Sequence, residues 1–207
     1  MHCFRTTILE DLKRSTADRH RAIEAVVPLT SPSLTVACYA DYLEHLLPFY
    51  LNIEARLKAL PGLASAVIDI AERWKSESLV ADLHSLGRSG SSAANATCIT
   101  PDIHTLPQAF GCLYVLEGST LGGEILVRIV RKRLGEQVAG TTRFLDSYGP
   151  RIRSKWQCLC QAIESRVQQP ADRDIAIRSA QATFDTLHRW LDSFYGRQSA
   201  SPAAYDV

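Results

Sequence analysis

No CxxC pair occurs in this chain, although six cysteines do, at positions 3, 38, 98, 112, 158 and 160. That absence argues against a structural zinc site, and the polar opening MHCFRTTILEDLKRS lacks the apolar core of a secretory leader. Free thiols in a reducing cytoplasm are the expectation. A dominant charge sign is also missing, with 23 Lys and Arg against 22 Asp and Glu. Such a balance exerts little non-specific pull on a phosphate backbone and speaks against a nucleic-acid binder. The most apolar stretch, residues 109–130, is interrupted by Glu117, Glu124 and Arg128, so no membrane span is expected. Alternating strand patterns, internal repeats and domain-sized linkers are absent as well.

What is present is helical periodicity over nearly the whole length. Ile8, Leu9, Leu12, Thr16, Ile23, Val26 and Val27 recur at spacings of three and four and stop at Pro28. Residues 35–60 form a second long pattern, with Pro48 as an expected kink and Pro61-Gly62 as the stop. Shorter patterns at 63–74 and 78–86 precede a Gly- and Ser-rich stretch that predicts a flexible loop over 87–100. A long helix follows at about 108–134, then a short element at 144–148, helices at 151–168 and 171–195, and a short tail after 196. The prediction is a single all-α domain over 1–207, a helical bundle.

The 108–134 helix holds the run Tyr114-Val115-Leu116-Glu117-Gly118-Ser119-Thr120-Leu121-Gly122-Gly123-Glu124. Three glycines within six residues cost a helix interior about 3 kcal/mol relative to alanine. Gly118 and Gly122 stack on one face, with Ser119 and Gly123 in the adjacent row. A bare strip of backbone beside a small hydroxyl implies a close approach there, either by another helix or by a ligand. Phosphate loops and nucleophile elbows do not account for it, since GxxxxGK, GxGxxG and GxSxG are all missing.

In the first helix, His20 follows Thr16 by four residues and precedes Ile23 by three, so it is expected to project from the apolar face. A histidine so placed is either a hydrogen-bonded core residue or a ligand. Glu24, one turn on, can accept from the imidazole and set which nitrogen is free. Lys13 lies two turns back on nearly the same azimuth, about 10 Å along the axis. That spacing suits a ligand with a central metal and an anionic edge. Other constellations are weaker: no Glu has a His three residues later, so the paired Glu-x-x-His signature of di-iron bundles is missing. Arg128, Arg131, Lys132 and Arg133 complement the helix dipole, or alternatively form a docking patch for an acidic redox protein.

Two of these blocks, T-x-x-x-H-x-x-x-E within 12–24 and YVLEGSTLGG within 113–123, together with A-T-F-x-x-L-x-x-W-L at 182–191, resemble the heme oxygenase family. The likeness is to its bacterial, biliverdin-producing branch, tied to bacteriophytochromes or to iron acquisition. It fits the whole chain in length and block order. The resemblance implies that His20 is the proximal ligand of heme iron, with Thr16 and Glu24 beside it. It places Gly118, Ser119, Gly122 and Gly123 on the catalytic distal helix. Lys13 and Tyr114 match propionate-holding positions and Phe184 a pocket aromatic; Arg178 is the candidate for a further basic residue, without a motif behind it. Ser119 stands where the animal enzymes place an aspartate, as in bacterial relatives, so protons are expected to arrive through water and backbone groups.

The implied chemistry is oxidative cleavage of heme to biliverdin, CO and ferrous iron. Heme is both the substrate and the O₂-activating group. The expected partners are heme, O₂, a ferredoxin or flavoprotein reductase as electron donor, and a bacteriophytochrome as biliverdin acceptor. Lys13 and Tyr114 imply the IXα isomer as the main product. Two competing readings keep the fold: a non-catalytic heme carrier or sensor, and an enzyme of the thiamine or quinone-precursor type that binds no heme.

Overall fold

Thr7 and Glu10 start the first helix by capping each other. The Thr7 hydroxyl accepts from the Glu10 amide at 3.2 Å, while the Glu10 carboxylate accepts from the Thr7 amide at 2.8 Å. Helix α1 (Ile8–Val26) then runs to the residues before Pro28. The structure is a computed structural model that describes residues 6–89, 98 and 100–196. Most of the expected 87–100 loop and the tail after 196 lie outside these residues. Helix α2 (Val36–Ala59) is capped by Thr35 and carries Pro48 inside it.

The 63–74 pattern does not form one helix. A single turn, α3 (Leu63–Ala66), ends at an extended Val67, and Asp69 adopts a left-handed φ of 58°. A 3-10 turn at Ile70–Arg73 then leads into α4 (Ser76–Ser85). The left-handed residue breaks what apolar spacing alone would have continued. The start of the expected loop is also held. Gly87 and Arg88 close α4 through backbone bonds, and Arg88 pairs with Asp41 and Glu44 on α2.

Thr105 and Gln108 repeat the capping device at the start of α5 (Leu106–Leu134), with Pro107 in its first turn. The remaining helices are the short α6 (Arg143–Asp146), α7 (Ile152–Arg166) and α8 (Pro170–Tyr195). Among the described residues there is no strand, and the all-α expectation holds. By length and composition α5 could cross a membrane, but it buries Phe110, Cys112, Leu113, Val115 and Leu116 within the protein core.

Helix α8 is the spine on which both α1 and α5 lie. Arg173 pairs with Asp11 at 2.6 Å, Gln181 donates to the Ser15 carbonyl at 3.1 Å, and Arg19 pairs with Asp185 at 2.8 Å. The numbers ascend together, so α1 and α8 run in the same sense. On the α5 side, Ser179 donates to the Gln108 carbonyl at 2.7 Å, and Thr183 bonds the Cys112 thiol one turn on. Here too the numbers ascend together. Helices α5 and α8 come close at Gly111, where an added Cβ would lie 2.1 Å from the Ala176 carbonyl oxygen. Gly111→Ala is therefore expected to cost about 1–3 kcal/mol through forced separation of the two helices, read as a lower urea midpoint. An unchanged midpoint would show that the crossing is loose.

Candidate functional site

The buried stripe of α1 is Ile8, Leu12 and Thr16, each one turn apart. One turn further on the stripe leaves the core, and His20 has 57% of its side chain exposed rather than sitting on a covered apolar face. The imidazole meets Phe184 of α8 edge-on at 6.0 Å between centroids. Its Nδ1 lies 3.5 Å from Glu24 Oε1, as the one-turn spacing predicts. Phe184 itself is buried, so the protein supplies a fixed apolar edge beneath an open imidazole.

Opposite lies α5. Tyr114 is half-buried, and its phenol reaches the Thr16 hydroxyl of α1. Burial raises the Tyr114 pKa, so the group stays protonated. The Thr16 hydroxyl in turn donates to the Leu12 carbonyl at 2.7 Å. This bridge ties α1 to α5 at one level. Because both helices run in the sense of α8, His20 and Gly118 each lie one turn, about 5.4 Å, beyond it.

The glycines of the strip differ from one another. At Gly122 an added Cβ would meet nothing within 4 Å. At Gly118 it would touch the Trp156 indole of α7 at 3.6 Å. Gly123 is buried, and a Cβ there would come within 2.7 Å of the Leu145 carbonyl on α6, so close packing accounts for that glycine. Ser119 is exposed beside the strip and donates to the Leu116 carbonyl at 2.7 Å. The Tyr50 phenol of α2 also reaches Ser119, and burial raises its pKa. Nothing in the spacing of α2 pointed to Tyr50, since it reaches the site only through tertiary packing.

Lys13 and Arg178 are exposed on α1 and α8, and neither touches the residues just described. At the far end of α5, Arg128 pairs with Glu124, Arg131 with Asp146, and Arg133 with the carbonyls of Leu29 and Ser31. These cations hold local structure.

Directly behind Gly118, Glu117 enters a buried charged cluster. Its carboxylate pairs with Arg73 at 2.5 Å and accepts from the Tyr148 phenol at 2.8 Å, with Lys75 Nζ 3.8 Å away. Lys75 also sits 3.5 Å over the Tyr148 ring, and burial pushes its pKa down to about 8 against the pull of Glu117. The cluster draws on three separate segments, around Arg73 and Lys75, Glu117 and Tyr148, which is why no local motif announced it.

The heme oxygenase family model matches residues 6–193. A heme oxygenase of Xanthomonas campestris pv. campestris is 33% identical over 111 residues, covering 53% of this chain and 62% of that relative. The match thus spans less than two thirds of the relative's length. Among solved structures, NO- and CO-bound heme oxygenase from Neisseria meningitidis aligns with a TM-score of 0.75 at 20% identity, over 98% of this chain and 99% of that one. Heme oxygenase 2 from Chlamydomonas reinhardtii, solved without heme, aligns with a TM-score of 0.70 at 15% identity, over 91% and 98%. At these identities the structures establish a shared fold.

Proposed function

The chain belongs to the heme oxygenase family, and we propose that it holds heme between α1 and α5 and cleaves it oxidatively to biliverdin, CO and ferrous iron. The carrying observation is an exposed imidazole, backed by a carboxylate, across from a helix whose backbone is bare at Gly122. These residues fit an iron macrocycle: one nitrogen ligand on one side, and on the other a surface without side chains at the level where a small gas must bind. Heme, when bound, supplies O₂ activation and is itself the carbon skeleton that is cut.

The protein groups have distinct tasks. Glu24, whose carboxylate lies 3.5 Å from His20 Nδ1, would hold that nitrogen and leave Nε2 as the one presented to iron, raising its basicity. Phe184 limits rotation of the ring. Gly118 and Gly122 let the ligand approach the α5 backbone. Ser119 donates to the Leu116 carbonyl, which leaves its oxygen able to accept, and the Tyr50 phenol lies within its reach. That pair keeps a protonated phenol and a hydroxyl beside the strip, adding a side-chain route to the water and backbone groups expected from the sequence. Lys13 and Arg178 are the cations we assign to the propionates, with the Tyr114 phenol beside them, and this anchoring favours the IXα isomer. A ferredoxin or flavoprotein reductase would supply electrons, and a bacteriophytochrome would accept the product.

Heme titration followed by reductant under air tests the reading. The expected result is a Soret band on binding, its loss on reduction in air, and appearance of biliverdin. A stable Soret band without biliverdin would leave a heme carrier, and no complex at all would leave a helical enzyme of other chemistry. His20→Ala should lower heme affinity and turnover together by at least about 10–100-fold, the loss typical even for partners of a metal ligand. Unchanged Soret position and turnover would move the ligand to His45, His84, His104 or His188.

A further inference from the structure

Gly118 and Gly122 look alike in sequence, but the space beside them is not alike. The Cζ3 and Cη2 atoms of Trp156 lie 3.6 Å from the Cβ position of Gly118, an ordinary van der Waals contact, whereas Gly122 faces open space. The indole also leans on Tyr114, with centroids 5.4 Å apart and planes inclined at 52°. The Tyr114 phenol in turn reaches Thr16 of α1. Trp156, Tyr114 and Thr16 therefore follow one another from α7 through α5 to α1, at the Gly118 end of the strip.

Helix α7 buries Ile152, Leu159 and Ile163, and the neighbouring Lys155 is held by Asp69 at 3.0 Å and Glu72 at 2.9 Å. The Trp156 ring is thus carried on an anchored helix and is itself only half-buried, leaving ring surface to meet a ligand.

Resting on the heme reading above, we propose that Trp156 is a positioning residue that sets the in-plane seating of heme by shape. Each in-plane rotation of an unsymmetrical macrocycle brings a different pyrrole edge, with different substituents, against the indole. The charged anchors act at a distance and weaken with salt, whereas a van der Waals contact does not. Trp156 selects which edge fits at the Gly118 end, and so which meso carbon lies beside bound O₂.

The test combines Trp156→Ala, Trp156→Leu and Trp156→Phe with two readouts. The first is the heme methyl proton shifts of the ferric cyanide complex, which report seating without turnover. The second is the biliverdin isomer ratio, taken at low and high salt. Trp156→Ala is expected to show methyl resonances that the unmodified protein lacks, and to raise minor isomers at least tenfold at both salt concentrations. Trp156→Leu carries the same expectation if the alanine variant does not fold. Trp156→Phe, which keeps a flat ring, should restore the parent pattern. Parent shifts and parent isomers in the alanine or leucine variant would overturn the proposal while leaving heme cleavage intact. Failure of the unmodified chain to bind heme would instead remove the functional reading, and this proposal with it.

Discussion

Glu117→Gln is expected to destabilise the folded chain by about 3–5 kcal/mol, the range for breaking a buried ion pair by removing one partner. Both side chains of the Arg73–Glu117 pair are 1% exposed, so solvent does not screen the loss. The amide would leave the Arg73 guanidinium without its counter-charge, although one of its nitrogens still donates to the Lys155 carbonyl at 3.1 Å. Arg73 Nε is already buried without a partner among the described residues, so nothing local stands ready to compensate. Urea unfolding of the variant measures the effect, and a loss under 1 kcal/mol would mean that water reaches the cluster.

Lys75 gives the same cluster a pH signature. Its pKa falls from an ordinary 10.5 to about 8 through burial. Between these values the unfolded chain binds the proton and the folded chain does not, so this group makes stability rise with pH across that window. Its contribution is fully present above the unfolded value and is lost as pH falls through about 8. From about pH 10 the buried phenols of Tyr39, Tyr50 and Tyr148, all shifted upward by burial, oppose the rise.

The stops at Pro28 and Pro61-Gly62 were legible because their causes are local. The capping pairs Thr7 with Glu10 and Thr105 with Gln108 are equally local, three residues apart, and went unread beside the apolar periodicity. The 63–74 segment was misread because apolar spacing carries no sign of the left-handed turn at Asp69. His20 and Glu24 were legible as a pair from one-turn spacing. The exposure of His20 was not, since spacing within α1 carries no sign of which part of that face the other helices leave open. Gly111 passed unnoticed beside the richer run at 118–123, although it lets α5 pack directly on the α8 backbone. Tyr50, Trp156 and Arg73 belong to other helices and turns, and only the packing of those elements brings them to Ser119, Gly118 and Glu117.

Gly122→Leu and Gly123→Ala are expected to fail in opposite ways, although the two residues are adjacent. A side chain at Gly122 enters open space, so the fold does not resist it, and leucine should add somewhat under 1 kcal/mol of helix propensity. The same side chain fills the volume that a ligand between α1 and α5 needs, and turnover should fall more than tenfold. Gly118 is a less clean probe, because leucine there would also push Trp156. At Gly123 the methyl group would press on the Leu145 carbonyl, 2.7 Å away. Helix α6 resists moving, since the buried Asp82 carboxylate caps it by accepting from the Arg143 and Phe144 amides at 3.0 and 2.8 Å. Gly123→Ala should therefore cost about 1–3 kcal/mol of stability. Its turnover per folded molecule should stay within a few-fold of the parent, because the methyl points at α6 rather than into the slot. Unfolding curves and single-turnover heme cleavage on the two variants separate these effects. A stable and fully active Gly122→Leu variant would show that the open face at Gly122 serves neither heme nor O₂.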